Sequence, residues 1–180
     1  MIRPDYRTIL MDQRGAAVIL WSCFMISIVI YIVIAQNVLA NPRFSRGFSA
    51  AETIRTVLWI LVLVDLGYYA YWKRYLKPEA ILADPKRTKL LRALEEHKGP
   101  VEERAASVVS TYITRKVVLY AIIEAIAVYG LVLALVGRYL SDQYSLSALS
   151  LILLVLEFPR ERFLESLVRE IEGSSGAIGP

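Results

Sequence analysis

The stretch AAVILWSCFMISIVIYIVIAQNVLA, residues 16–40, runs for 25 positions without an acidic or basic side chain. Roughly 20 predominantly apolar residues in a helix cross the ~30 Å hydrocarbon core of a bilayer. Such a segment can be surrounded by lipid only as a helix, because there its backbone N–H and C=O groups satisfy one another. Three more apolar runs follow, at 54–72, 116–136 and 144–158. The whole chain of 180 residues is 56% hydrophobic, which is more than an ordinary soluble domain of this size carries.

These runs predict an all-α integral membrane protein of one domain. Four transmembrane helices, at 16–40, 54–74, 116–138 and 142–158, form two hairpins accompanied by cytoplasmic amphipathic helices. The second run ends in Tyr68, Tyr69, Tyr71 and Trp72, followed by Lys73 and Arg74, the order of residues at a membrane-water interface. The fourth run is the shortest, at about 15 residues, and gains length by drawing on Tyr139 and Leu140.

Orientation follows from the basic residues, since short loops rich in Lys and Arg stay cytoplasmic. Arg3, Arg7 and Arg14 precede the first run, eleven basic residues lie from Lys73 to Lys116, and Arg160, Arg162 and Arg169 follow the fourth run. That leaves only Arg43, Arg46, Arg55 and Arg138 for the alternate loops. Both termini and the central loop are therefore expected on the cytoplasmic side of the inner or plasma membrane. Val38-Leu39-Ala40 fits a signal-cleavage site loosely, but the apolar stretch is too long for a signal peptide and Asp5 and Asp12 precede it, so retention as a span is expected.

The net charge of +4 belongs to this topology. No basic stripe interleaved with aromatics marks a nucleic-acid surface. Cys23 is the single cysteine, so an intramolecular disulfide is excluded. The single His97 has no accompanying His or Cys cluster, glycine-rich phosphate loop or nucleophile motif, and neither an enzymatic activity nor a cofactor or metal is expected.

Between the hairpins lies a polar connector, 76–115. Asp84-Pro85 opens and Gly99-Pro100 closes an amphipathic helix at 85–98, with Leu90, Leu91 and Leu94 on one face. From Pro100 no breaker intervenes, so one helix is predicted to run past Val136. Pro159 opens a second amphipathic helix, 159–173, with Phe163, Leu164, Leu167, Val168 and Ile171 on one face, before a loose tail at 174–180.

The residues able to carry chemistry are the acids inside the apolar runs, because an ionisable group in hydrocarbon costs at least about 2.5 kcal/mol and marks a function or a pairing. Asp65 lies eight residues before Lys73, and Glu124 eight residues after Lys116, so both sit roughly 12 Å inside the cytoplasmic boundary. Tyr69 is one turn from Asp65 and Tyr120 one turn from Glu124, which predicts a phenol for each acid on its own helix face. If the two helices pack together, the acids face one another and share a proton or a cation. Glu157, beside Pro159 and Arg160, reads as a snorkelling boundary residue. Small residues recur at Ala121, Ala125, Gly130, Ala134 and Gly137, spacings that let another helix approach closely.

The segment Glu124-Ala125-Ile126-Ala127-Val128-Tyr129-Gly130-Leu131-Val132-Leu133-Ala134-Leu135 resembles the carboxylate-bearing helix of the proteolipid, or c, subunit of rotary ATP synthases and ATPases. The resemblance implies that Glu124 is a reversibly protonated ion carrier whose site Tyr129 shapes. It covers about a dozen residues, and the regular glycines of that family's partner helix are replaced here by bulky Trp21, Phe24, Trp59 and Tyr69.

Two functions stay open from the sequence. The first is a non-enzymatic subunit or accessory component of a membrane complex, which contacts the bilayer and either a membrane-protein partner or further copies of itself. The second is a proton- or monovalent-cation-translocating subunit that uses Glu124 and Asp65, with Tyr69, Tyr120 and Tyr129 around them.

Overall fold

The structure is a computed structural model that describes residues 4–41, 48–83 and 100–159. Every regular element among the described residues is helical. In chain order these are α1 (Pro4–Ala40), α2 (Ala51–Trp72), a 3-10 turn (Lys73–Leu76), α3 (Pro78–Ala83), α4 (Pro100–Gly137) and α5 (Leu140–Leu156). The helices at 85–98 and 159–173 and the tail at 174–180 lie outside the described residues.

Proline decides where three of the helices begin. Pro4, Pro78 and Pro100 each occupy a first helical position, where the missing N–H costs nothing and the fixed φ is already helical. The short α3 adds an element that the connector's sequence had not suggested. At its other end α1 stops at Ala40, two residues before Pro42, which disfavours helical geometry in the residue preceding it.

Three helical stretches are long and apolar enough to cross a membrane: Arg14–Ala40, Ala51–Leu76 and Ser107–Gly137. Leu140–Leu156, at 17 residues, is apolar but shorter.

The chain divides into two units, the first made of residues Met1–Leu20, Lys73–Val117 and Pro159–Pro180 and the second of Trp21–Trp72 and Val118–Phe158. In the first unit, the Arg115 guanidinium donates to the carbonyls of Tyr75 (2.7 Å) and Ala80 (3.1 Å), tying the segment after α2 to α4. Leu76, Ile81, Val108, Val109 and Tyr112 are buried there, and the Lys116 ammonium lies 6.0 Å from the centre of the Tyr112 ring.

The second unit is a four-helix arrangement whose register can be read from its polar ties. Gln143 Nε2 donates to the Tyr31 carbonyl (3.1 Å) and Trp21 Nε1 to the Leu154 carbonyl (2.8 Å), so α1 and α5 run antiparallel. Ser150 Oγ donates to the Ile123 carbonyl (3.0 Å), while Gly130 lies against Gln143 and Leu146, so α4 and α5 are also antiparallel. Arg55 pairs with Asp142 and Tyr69 with Glu157, which makes α2 and α5 parallel. Successive long helices therefore alternate in direction.

Burial is uneven among these helices. In α4, Leu119, Ile123, Ile126, Ala127, Leu133 and Ala134 are fully buried, so it is the centre of the packing. In α2 only Ala51 and Val62 are buried, and Val57, Ile60, Leu61, Leu63 and Val64 are exposed.

The turn from α4 to α5 is tight. Arg138 takes a left-handed φ of 59°, and its N–H bonds the Ala134 carbonyl at 3.0 Å, as helix ends commonly do. Gly137 is needed because the Tyr139 ring occupies the space a Cβ would fill.

Candidate functional site

Glu124 projects from the middle of α4 toward α1. Ser27 and Tyr31 stand one turn apart on α1, and both hydroxyls reach Glu124 Oε1, Ser27 at 2.6 Å and Tyr31 at 2.7 Å. The Ser27 hydroxyl also lies 2.8 Å from the Phe24 carbonyl and has one proton to share between the two acceptors. Glu124 is half-buried, and its described hydrogen bonds come from neutral hydroxyls.

The phenols expected on each acid's own helix serve other groups. Tyr120 donates to the backbone carbonyl of Glu157 (3.1 Å) and stacks at a tilt on Phe24, with ring centres 5.7 Å apart. Tyr69 donates to Glu157 Oε1 (2.7 Å). Asp65 interacts instead with the Tyr129 hydroxyl on α4, and its Oδ2 is buried without a hydrogen-bond partner. A tyrosine side chain is long, and its hydroxyl overshoots a carboxylate one turn away on the same helix and lands on the neighbouring helix. Sequence spacing alone does not contain that displacement.

The two acids also do not share one face. Tyr129 follows Glu124 by five residues, which at ~100° per residue turns it about 140° around α4. The face that meets Asp65 of α2 is therefore different from the face that meets α1. Glu157 departs from expectation as well: it is 5% exposed and acts as an internal acceptor for α2, not as a snorkelling residue.

The small residues of α4 distribute themselves around the helix. Gly130 admits α5 so closely that a Cβ there would lie 3.2 Å from Gln143 Cα and from Leu146 Cβ. Ala134 is fully buried, Ala125 is half-buried and Ala121 is exposed. Gly137 accommodates Tyr139 of its own turn.

A second polar cluster lies where α2 and α5 begin. The Arg55 guanidinium grips Asp142 through Nε (2.6 Å) and Nη2 (3.1 Å) and covers the Tyr139 ring at 4.7 Å from its centre. The Tyr139 hydroxyl donates to Glu52 Oε1 (2.8 Å). This hydrogen bond to a carboxylate, together with partial desolvation, raises the Tyr139 phenol above its ordinary value. An open groove of about 470 Å³ runs beside it along one face of α2, lined by Glu52, Arg55, Thr56, Trp59, Ile60 and Leu63.

Several residues that build these sites or tie the helices together were not singled out by the sequence: Ser27, Tyr31, Gln143, Ser150, Arg55 and Asp142. A signal was present in two cases, since Ser27 and Tyr31 are four residues apart in an apolar helix, as are Gln143 and Ser147. No family model matches the chain, and comparison with characterised proteins and with solved structures returns no match.

Proposed function

We propose that the protein is a four-span membrane protein with both termini in the cytoplasm that acts as a non-enzymatic subunit or accessory component of a membrane complex. The observation that carries this reading is α2. It is held to α4 and α5 by polar ties at Arg55, Asp65 and Tyr69, yet buries almost none of its apolar side chains in the chain's own fold. Helix association in lipid depends on packing and polar contacts, not on hydrophobic burial, so this surface meets either lipid or another membrane helix. The alternating helix directions support two hairpins, and the basic loops support the orientation.

The test is a photo-crosslinking residue in place of Leu63 on α2 in native membranes, followed by purification in mild detergent. A crosslinked adduct of defined mass, absent when the probe replaces buried Ile126, is the expected result. Crosslinks to lipid alone, with the chain monomeric in detergent, would refute the subunit reading. Resistance to alkaline carbonate extraction and a cytoplasmic reporter signal from the C-terminus check insertion and orientation separately.

A second reading, in which Glu124 carries a proton or a monovalent cation, is favoured by its position within an apolar helix among neutral hydroxyl donors. On this reading Glu124→Gln abolishes ion flux in proteoliposomes while assembly survives, and a carbodiimide labels Glu124 in a manner that pH or sodium prevents. Unchanged flux in the variant removes it.

A further inference from the structure

Besides Asp65 Oδ2 on α2, two side chains of α5 in the second unit carry buried polar atoms that no group among the described residues satisfies. Gln143 Oε1 and Ser147 Oγ are buried without a hydrogen-bond partner, and both residues are 0% exposed. They stand one turn apart on the same face of α5. The amide is oriented by its other end, because Nε2 donates to the Tyr31 carbonyl and leaves Oε1 as the free acceptor.

Register places this pair beside the Glu124 cluster. On α1, the pairings of Tyr31 with Gln143 and of Trp21 with Leu154 set Ser27 level with Ser147. On α4, Gly130 meets Gln143 and Ile123 meets Ser150, so Ser147 falls between them, within about one turn of Glu124. Ser150 is satisfied by the Ile123 carbonyl, and the Ser27 and Tyr31 hydroxyls are satisfied by Glu124. The polar stripe on α5 is thus closed at Ser150 and open at Ser147 and Gln143.

The chemistry of the two open atoms selects the ligand. An amide oxygen only accepts, so Gln143 Oε1 calls for a hydrogen-bond donor or a cation, while the Ser147 hydroxyl can both donate and accept. A cation held jointly with the Glu124 carboxylate is disfavoured by distance. By the same register Gln143 lies about six residues, or roughly 9 Å along the axis, from the level of Glu124. Buried waters in folded proteins occupy such positions, bridging polar groups that lack partners.

We propose that Gln143 Oε1 and Ser147 Oγ bind an internal water molecule, which extends the hydrogen-bonded cluster of Ser27, Tyr31 and Glu124 toward the start of α5. The site stands whether the protein is a passive subunit or an ion carrier.

Radiolytic hydroxyl-radical footprinting of the full chain in nanodiscs tests it, because a radical formed from a bound water modifies the side chains around that water even when they are buried. Leu146, adjacent to Ser147 on α5, is expected to be modified several-fold faster than Leu133 of α4, which is equally buried. Ser147→Ala is expected to reduce the Leu146 rate to that of Leu133 and to lower Tm by about 2–4 °C through loss of a partner for the water. Equal rates for the two leucines in the unmodified protein would overturn the proposal, as would a rise in Tm for Ser147→Ala, the sign of a dry, unsatisfied hydroxyl. A sodium-specific rise in Tm, absent in choline at equal ionic strength and lost in Ser147→Ala, would assign the site to a cation and overturn it equally.

Discussion

Removing the Tyr31 hydroxyl by Tyr31→Phe should cost more than removing that of Ser27 by Ser27→Ala, although both reach the same oxygen of Glu124 at nearly equal distance. The difference lies in what each hydroxyl has besides Glu124. Ser27 keeps the Phe24 carbonyl at 2.8 Å as an alternative acceptor on its own helix, so its bond to Glu124 is partly replaceable. The Tyr31 hydroxyl has the Ser27 hydroxyl as its other neighbour, a group already engaged with Glu124 and the Phe24 carbonyl and so a poorer replacement than a free carbonyl. Side-chain hydrogen bonds between membrane helices average about 0.6 kcal/mol and reach about 1.7 kcal/mol, and a bond to a carboxylate belongs toward the upper end.

The coupling energy between Tyr31 and Glu124 is therefore expected at about 1–1.5 kcal/mol, and that between Ser27 and Glu124 at about 0.5 kcal/mol or less. The assay is a pair of double-mutant cycles, Tyr31→Phe and Ser27→Ala each combined with Glu124→Gln. Each is read from equilibrium unfolding by SDS titration in mixed micelles. Coupling of Ser27 equal to or larger than that of Tyr31 would refute the reasoning, and no coupling for either would remove the tie between α1 and α4 altogether.

Gly130→Leu should destabilise by about 1–3 kcal/mol, because even a Cβ would press on the backbone of α5 at Gln143; Ala121→Leu, at an exposed position, serves as the control with no loss in the same titration. Arg55→Met should lower stability modestly, with the difference shrinking as salt is raised, since Arg55 is partly open to solvent; an effect independent of salt would argue against the ion pair with Asp142. For Tyr139, whose phenol is raised by its bond to Glu52, the stabilising contribution is present at neutral pH and lost as pH climbs through the raised value; Glu52→Gln should shift the phenolate absorbance transition, isolated by difference against Tyr139→Phe, to lower pH.

Much of the fold was legible because it depends on local quantities. The length of each apolar run, proline at helix starts and the absence of breakers after Pro100 are one-dimensional facts, and each has a direct structural consequence. The acids were also visible, because charge inside an apolar run stands out. Their partners were not visible. Tyr69 and Tyr120 are neighbours of Asp65 and Glu124 along their own helices, but a phenol long enough to leave its helix is matched by whatever the next helix presents. Those matches join residues about ninety positions apart, such as Tyr31 with Glu124 and Tyr69 with Glu157.

By itself, then, the amino-acid sequence determined that this is a chain of long apolar helices with acids at fixed positions along two of them. Hydropathy, helix rise and basic-residue bias act on each segment independently of its neighbours. Only the tertiary structure decided that α4 is the packed centre and α2 the exposed edge, that Glu124 and Asp65 face different helices, and that Gln143 and Ser147 stand unsatisfied beside Ser27. Those outcomes depend on the rotation of each helix about its axis and on its register against the next, which are set by the joint packing of all four helices.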